Sequence, residues 1–501
     1  MNMRKIRNDH IILGALFLFV LAFRLFFTFR VGHFNTDDAY FHLRNISYFL
    51  ENFSLMEYDS LSYSGRFVFY PPFFHIMMGV LSFGTVFMLK LIPEVFISLA
   101  VLVVYVIAKE ISGNSYSALF AAGLSGFVPI MFSEVLNNIS VYSFVIPVIL
   151  LMLYLLDKLD DRKYLWIFAV CSFILPFTHA SAFIFAAACL LYFLITAGGA
   201  ILPSRLEKEG ILFSVLLIFL AEFIIYKEAF LKFGAGILRQ NIPSNILADS
   251  FRQIQPLDLF VGIGLLPLVL GAIGIYIALI KDKKKISYIF GAFALAVLLL
   301  VSIRMLTIYV AILFLGIVMS IFSSLGALQI YRYFEKFKLS ILKNSFVILL
   351  IVLFFLLSVS PSFLVAKTSQ SVDISKIKEI EWLVKNTNDG DVVLADINDG
   401  HLIASLAGRK TVIDSNFIFA PNPKERAEDV NVVFTTVSEA AALKILRKYD
   451  VDFIYLSDDA RRKYGIINLA YGEKLFKSGE EPVEPSRCFD LRGGSFYVVK
   501  C

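Results

Sequence analysis

Pro71-Pro-Phe-Phe-His-Ile-Met-Met-Gly-Val-Leu-Ser-Phe-Gly-Thr-Val-Phe-Met-Leu-Lys-Leu91 is the stretch on which the topology of this chain turns. It is apolar and about as long as the ~20 residues that one helix needs to cross a bilayer. Whether it crosses decides the side of the membrane for everything after it. Similar runs recur through the 501 residues, of which 58% are hydrophobic and 17% charged, with a mean hydropathy of +0.75. Soluble domains carry roughly 45–50% apolar and about 25% charged residues, so this composition is that of a polytopic α-helical membrane protein. The net charge is only +5. Basic residues form short clusters between apolar runs and no stripe, so no nucleic-acid partner is expected.

The clusters supply the topology, because Lys and Arg mark cytoplasmic loops. They are Arg4 to Arg7, Lys109, Lys158 with Arg162 and Lys163, Arg205 with Lys208, Lys281 to Lys285, and Arg332 to Lys343. Between successive clusters the apolar length fits an out-and-back pair of crossings. The predicted spans are 11–30, 93–110, 115–132, 140–157, 164–178, 181–201, 211–226, 259–280, 286–303, 305–327 and 345–366. Eleven spans put the N-terminus in the cytoplasm and the C-terminal portion outside. The run from Ile11 to Phe29 is long for a signal peptide and is followed by no small-residue cleavage site, so it reads as a retained anchor. Counting Pro71–Leu91 as a further span would flip every later basic cluster to the outside. It therefore reads as a helix lying in or dipping into the outer interface, and 31–92 becomes one large external segment. A second external segment, 227–258, holds Arg239, Asp249, Arg252 and Asp258.

The membrane domain accordingly covers 1–366, and 367–501 has the composition of a soluble, extracytoplasmic α/β domain. Helices near 374–387 and 400–407 alternate with strands at 391–395 and 410–414. A capping-box pattern, Thr436-Val-Ser-Glu439, opens a helix to Lys448, and Val451–Leu456 reads as a buried strand. A hairpin at 487–500 turns at Gly493-Gly494 and brings Cys488 and Cys501 within disulfide reach. Such a bond requires an oxidising or external compartment. Cys171 and Cys189 lie in apolar spans and read as packing residues, and no spacing resembles a zinc site.

The chemistry is concentrated in Asn35-Thr-Asp-Asp-Ala-Tyr-Phe-His-Leu-Arg44, just past the first span. Carboxylates are costly in hydrocarbon, so Asp37 and Asp38 at a membrane boundary invite a chemical role. The structural alternative is that Asp37 N-caps the next helix, with Tyr40, Phe41, Leu43 and Ile46 facing lipid. His33, His42, His75, His179 and His401 fall on the predicted outer side, as do Glu134 and Arg304. Arg304, in the outer turn Val301-Ser-Ile-Arg-Met-Leu306, has no carboxylate near it in sequence. A guanidinium so placed suits a lipid phosphate, or snorkels to a headgroup without further function.

Four stretches carry a resemblance to the C-type glycosyltransferase superfamily, and within it to the catalytic subunit of archaeal and bacterial oligosaccharyltransferases. Asp38-Ala-Tyr-Phe-His42-Leu-Arg44 resembles the family's first external-loop motif. Lys109-Glu-Ile-Ser-Gly113, with the alanine-rich span after it, is similar to its second and third spans. Arg304 stands where the family places an arginine on the donor phosphate. Gly390-Asp-Val-Val-Leu-Ala-Asp-Ile-Asn-Asp-Gly400-His401-Leu-Ile, continuing to Gly408-Arg-Lys-Thr-Val-Ile-Asp414, resembles the surroundings of the Trp-Trp-Asp-Tyr-Gly signature. The likeness extends over most of the chain in layout, with residue matches confined to these islands.

The chain also departs from the family. Asp396-Ile-Asn-Asp-Gly400 keeps only the glycine of the signature, which in the family binds the acceptor sequon. The second external motif reads Glu134-Val-Leu-Asn-Asn-Ile-Ser140 without an Asp, and Phe251-Arg-Gln-Ile-Gln-Pro256 lacks the family's glutamate. A hard cation wants several oxygen ligands, so Asp38 with Glu134 makes a thin set and implies at most a weakly held Mg or Mn ion.

The resemblance thus implies a membrane glycosyltransferase with an inverting mechanism, a polyprenyl-phosphate-linked donor, and a sugar, lipid or protein acceptor on the outer face. Asp38, with Asp37 beside it, is the expected catalytic base. Arg304 and Arg252 are the expected phosphate ligands, and His42, Arg44 and His401 the expected supporting or acceptor-binding residues. Losing the sequon signature favours a hydroxyl acceptor over a protein asparagine. The alternatives are an oligosaccharyltransferase acting on protein asparagine and a non-catalytic glycan- or lipid-binding relative. A carrier is disfavoured, because mid-span charges are scarce and no internal repeat or matched pair of broken helices is present.

Overall fold

The computed structural model describes residues 3–197, 203–239, 242, 255–336, 340–369, 373–472 and 488–501. It divides into two compact units. One comprises Met1–Phe34, Tyr70–Lys227 and Ser250–Gln370, and the other Asn35–Phe69, Glu228–Asp249 and Ser371–Cys501. The large external segment is thereby split, and its first half belongs with the C-terminal residues.

In the membrane unit every predicted span is met by helix. Seven helices are long and apolar enough to cross: Asn8–Thr28, Val86–Ser112, Arg205–Phe233, Leu265–Asp282, Lys285–Ser302, Ile308–Glu335 and Asn344–Ser369. The other four predicted spans coincide with shorter helices, Ser115–Gly126 followed by Ile130–Glu134, Tyr142–Asp157, Arg162–Ile174 and Ala182–Ala197. The helices Leu265–Tyr276 and Ile308–Lys336 approach closely, since a Cβ on Gly274 would run into the Phe322 carbonyl.

Pro71–Leu91 is not one helix, and this corrects the sequence reading. Phe73–Ser82 forms a short helix that ends at Phe83 and Gly84, both with left-handed φ (49° and 72°). Thr85 then caps Val86–Ser112, accepting from Met88 N at 3.4 Å, so the second span begins at Val86 and not near residue 93. The stretch nevertheless makes no net crossing. Lys90 Nζ donates to the carbonyls of Thr28 (3.3 Å), Val31 (2.6 Å) and His33 (3.0 Å), at the end of the first span. A cation there complements both the orphan carbonyls and the helix dipole. The first span's end and the second span's start lie together, so the chain between them leaves and returns on one face.

Basic clusters from four loops meet at another set of helix ends. Lys158 pairs with Glu110 at 2.9 Å and with Asp157 at 3.1 Å. Lys285 pairs with Glu207 and lies 3.8 Å from Asp157, while Lys284 Nζ donates to the carbonyls of Glu110 (2.9 Å) and Ile111 (2.7 Å). Loops read from their charge as sharing one side of the membrane therefore do share one face.

The C-terminal unit is built on a five-stranded sheet and a two-stranded hairpin. The hairpin is β1 (Tyr58–Asp59) with β2 (Arg66–Phe67); the sheet contains β3 (Val392–Leu394), β4 (Lys410–Thr411), β5 (Phe453–Tyr455), β6 (Phe489–Arg492) and β7 (Phe496–Val499). Its order is β4-β3-β5-β7-β6, parallel from β4 to β5 and antiparallel beyond. Apolar side chains of the strands and of the helices Pro423–Thr435 and Glu439–Lys448 fill the core, among them Leu394, Ile454, Val433, Phe434 and Leu446. The second of these helices is capped by Ser438, which accepts from Ala441 N at 3.3 Å, and not by the predicted Thr436. Cys488 and Cys501 form a disulfide across the closing hairpin, with Cα atoms 5.0 Å apart. The turn uses Gly493 and Gly494 at φ 59° and 78°.

The β1–β2 hairpin is part of this core although more than 300 residues of sequence separate it from the sheet. Tyr63 is only 1% exposed, takes φ 54°, and donates its hydroxyl to the Asp414 carbonyl at 2.9 Å. Thr411 N donates to Leu61 O at 2.8 Å, and Arg426 Nη1 to the carbonyls of Val412 (2.7 Å) and Tyr63 (3.2 Å).

Candidate functional site

Asp37 and Asp38 begin the helix Asp37–Asn52 in the C-terminal unit. The N-cap is Thr36, which accepts from Ala39 N at 3.3 Å, so capping this helix is not the task of Asp37. The Asp37 carboxylate instead accepts from the backbone N–H groups of Leu402 (2.7 Å) and His401 (3.3 Å). It thus caps the segment Gly400–Leu402, which continues as Ile403–Ala407. Burial raises the Asp37 pKa well above the usual carboxylate range; the Leu402 N–H opposes the rise, and Asp399, Asp38 and Asp414 add to it. Asp38, the next residue, is exposed, and the Ser415 hydroxyl donates to it at 3.3 Å. Of the pair, Asp38 is exposed and Asp37 half-buried.

The loop resembling the acceptor signature lies beside this pair. Gly400 has an ordinary helical φ of −65°. A Cβ there would strike the Ile413 carbonyl and Asp414, so glycine is required by space and not by φ. Asp396 accepts from Lys463 Nζ (2.6 Å) and Tyr464 hydroxyl (2.9 Å), and Asp399 from Lys376 Nζ (2.8 Å) and Ser457 hydroxyl (2.6 Å). His401 is fully buried, with its ring 5.1 Å from that of Phe41 and Nε2 3.5 Å from Asp414 Oδ1. Burial lowers its pKa, opposed by the charges of Asp414 and Asp38. A side chain so enclosed holds the loop from inside and presents no surface to an acceptor.

The structure therefore brings together Asp37, Asp38 and His401, and adds Asp414, which sequence reading quoted but gave no role. Asp414 is buried and accepts from the Ser62 hydroxyl, from Asn416 N at 3.0 Å and from Arg66 Nη2 at 3.3 Å. Arg44, expected in a supporting role, pairs with Asp59 on β1. Burial alone would raise the Asp59 pKa, but Arg44 and the N–H groups of Leu61 and Ser62 hold it below the usual range. His42 is half-buried, its ring 5.3 Å from that of Phe41.

Glu134 and Arg304 belong to the membrane unit. Glu134 ends the helix Ile130–Glu134, half-buried, with its carbonyl accepting from Asn138 Nδ2 at 3.0 Å. The loop that follows is fixed by a residue that sequence reading missed. Glu94 accepts from Asn137 N (2.7 Å), Thr28 hydroxyl (3.0 Å) and Arg24 Nε (2.6 Å), all buried. Asn137 takes φ 51° and donates its side-chain amide to His33 O at 2.9 Å. Two opposite charges within apolar runs were the available signal. Arg304 sits at φ 58° in the tight turn before Ile308–Lys336, exposed and, among the described residues, without a carboxylate partner. Arg252 lies outside the described residues. Among those residues no group of three or more His, Cys, Asp or Glu side chains is arranged to hold a metal ion.

Comparison with solved structures gives a consistent fold. The Archaeoglobus fulgidus oligosaccharyltransferase tethered to an acceptor peptide with an NVT sequon aligns over 87% of this chain and 68% of its own, at TM-score 0.64 and 15% identity. The archaeal oligosaccharyltransferase AglB from the same organism, in complex with an inhibitory peptide and a dolichol-phosphate, gives 0.61 at 16% identity, over 87% and 69%. ArnT from Cupriavidus metallidurans bound to undecaprenyl phosphate gives 0.53 at 13% identity, over 98% and 97%. The fold is that of the C-type glycosyltransferases. No family model and no curated protein sequence matches the chain. The likeness to C-type enzymes is one of architecture, in which a multi-pass helical domain is joined to a C-terminal domain containing a sheet.

Proposed function

We propose that this chain is an integral-membrane glycosyltransferase that moves a sugar or oligosaccharide from a polyprenyl-phosphate-linked donor to a hydroxyl acceptor on the outer face of the membrane. The observation that carries this reading is the division of labour in the carboxylate pair. Asp37 is committed to two backbone N–H groups, while Asp38 stays exposed at the start of the same helix. Solved structures of this fold bound to dolichol-phosphate and to undecaprenyl phosphate support the donor class.

In the proposed step Asp38 takes the proton of the acceptor hydroxyl, and the freed oxygen attacks the anomeric carbon from the face opposite the phosphate. The bond from that carbon to the phosphate oxygen breaks, the electron pair leaves with the phosphate, and the configuration inverts. Arg304, exposed and free of a carboxylate partner among the described residues, is proposed to hold a lipid phosphate, and Arg252 to assist it. A hydroxyl acceptor is favoured over a protein asparagine because Asp396 and Asp399 are already taken by Lys463, Tyr464, Lys376 and Ser457.

Asp38→Asn should lower transfer of labelled sugar from a purified lipid-linked donor by about 10²-fold or more, the usual contribution of a general base. Unchanged transfer removes Asp38 from the role. Donor binding by the unaltered protein without turnover, across hydroxyl acceptors and a sequon peptide, favours the non-catalytic reading instead.

A further inference from the structure

The C-terminal unit carries an apolar loop that its own core does not absorb, Asn416-Phe-Ile-Phe-Ala420. Phe417 turns inward and is 5% exposed, whereas Ile418 and Phe419 remain half-exposed. The Phe419 ring lies 6.2 Å from that of Phe69, itself exposed, and 5.8 Å from that of Phe233. Phe233 is the last residue of Arg205–Phe233, an apolar helix long enough to cross the membrane, and Phe230 and Leu231 beside it are exposed. Lys232 Nζ stands over the rings of Phe233 (5.2 Å) and Phe419 (5.9 Å), and among the described residues no carboxylate pairs with it.

We propose that Phe69, Phe419, Phe233 and Lys232 form a lipid-facing anchor through which the C-terminal unit engages the bilayer surface. The end of a crossing helix lies at the boundary between hydrocarbon and headgroups, where aromatic rings and snorkelling lysines are favoured. Phe419 is in ring contact with that end, so the apolar loop is held at the depth where such side chains enter the interface. Lys232 is exposed, with its ammonium over the two rings and available to a lipid phosphate. Aromatic area plus one exposed cation fits the boundary of an anionic bilayer, about 5–10 Å into which amphipathic elements bury their apolar face. The inference depends on the membrane reading and not on the proposed chemistry, so loss of transfer activity does not touch it.

The test is depth-dependent quenching in the full-length protein in lipid nanodiscs. Trp166 is removed as W166F, and F419W is added to that background. Trp382, stacked on Phe496 at 4.9 Å, remains as the internal control. The expected result is a blue-shifted emission component in F419W that lipids brominated near the headgroup end of the chain quench more than lipids brominated at the chain terminus. W166F alone should be quenched by neither. Lys232→Glu should weaken the quenching in nanodiscs containing phosphatidylglycerol. Emission from F419W that is insensitive to both brominated lipids overturns the anchor. If acrylamide then quenches it, the loop faces water; if acrylamide does not, it is covered by protein. Quenching unaltered by Lys232→Glu in the anionic nanodiscs removes the lysine from the proposal.

Discussion

Glu94 in the membrane unit and Asp414 in the C-terminal unit do related work with different partners. Each is a buried carboxylate that fastens a loop from elsewhere in the chain. Glu94 reaches Asn137 and faces Arg24, a full charge buried among helices, with Phe132 5.0 Å from the guanidinium. Asp414 holds the β1–β2 hairpin through Arg66, Ser62 and Tyr63, and its oxygens also meet Asn416 N. Each carboxylate accepts from one guanidinium, one hydroxyl and one backbone N–H, so the difference lies in the arginine. Arg66 also donates to Ser62 Oγ and the Asn416 carbonyl, both at 2.6 Å, whereas Arg24 keeps a buried Nη2 with no hydrogen-bond partner among the described residues and is left a bare charge when Glu94 is lost.

The largest expected effect breaks the first of these. Glu94→Ala strands Arg24 and should destabilise the detergent-solubilised protein by roughly 3–5 kcal/mol in thermal unfolding. The double variant Arg24→Leu/Glu94→Leu should recover most of that, and no recovery would mean that the pair is not what matters. Next is the covalent lock of the C-terminal unit. Cys488→Ser should cost about 2–4 kcal/mol, read as faster hydrogen exchange in β6 and β7 with the membrane helices unchanged. Asp414→Asn keeps the hydroxyl and backbone partners, so about 1.5–3 kcal/mol is expected, with earlier proteolysis between Tyr58 and Phe67 as the readout.

The pH dependence separates two smaller cases of opposite sign. Asp59 has a lowered pKa in the folded protein, so its stabilisation is present above the unfolded carboxylate value and is lost as pH falls through the folded one. Arg44→Met should therefore weaken the fold at neutral pH and flatten its acid transition. Asp37 has a raised pKa, so its ionised form costs stability above the folded value and the cost disappears as pH falls through it. Asp37→Asn retains an acceptor for Leu402 N and should change neutral-pH stability by less than ~1 kcal/mol, the smallest effect of the set. Its signature is a flatter stability profile between the unfolded carboxylate value and the raised folded one, and an unaltered profile there would count against the raised pKa.

Much of the candidate site was visible in the sequence as residues but not as roles. Asp37, Asp38, Arg44 and His401 were singled out for their chemistry, yet three of the four are engaged in holding the fold: Asp37 on backbone N–H groups, Arg44 on Asp59 and His401 inside the core. Composition and spacing report that a charged side chain is present. They do not report whether a partner hundreds of residues away consumes it. Glu94 and Arg24 were overlooked for the same reason, since each looks isolated in its own apolar run.

What the sequence determined by itself was the membrane architecture, because crossing a bilayer is a local demand. About 20 apolar residues and a bias of Lys and Arg are written into each segment independently of the others. Helix at every predicted span and the shared face of four basic clusters follow from that. What only the tertiary structure decided was the fate of the external segment. Pro71–Leu91 breaks at Phe83-Gly84, Lys90 returns the chain to the first span's end, and Asn35–Phe69 joins the C-terminal sheet. Those outcomes rest on hydrogen bonds and ion pairs between residues remote in sequence, such as Tyr63 with Asp414 and Asp37 with Leu402. No local pattern encodes them, because each end of such a contact is satisfied only when the other arrives.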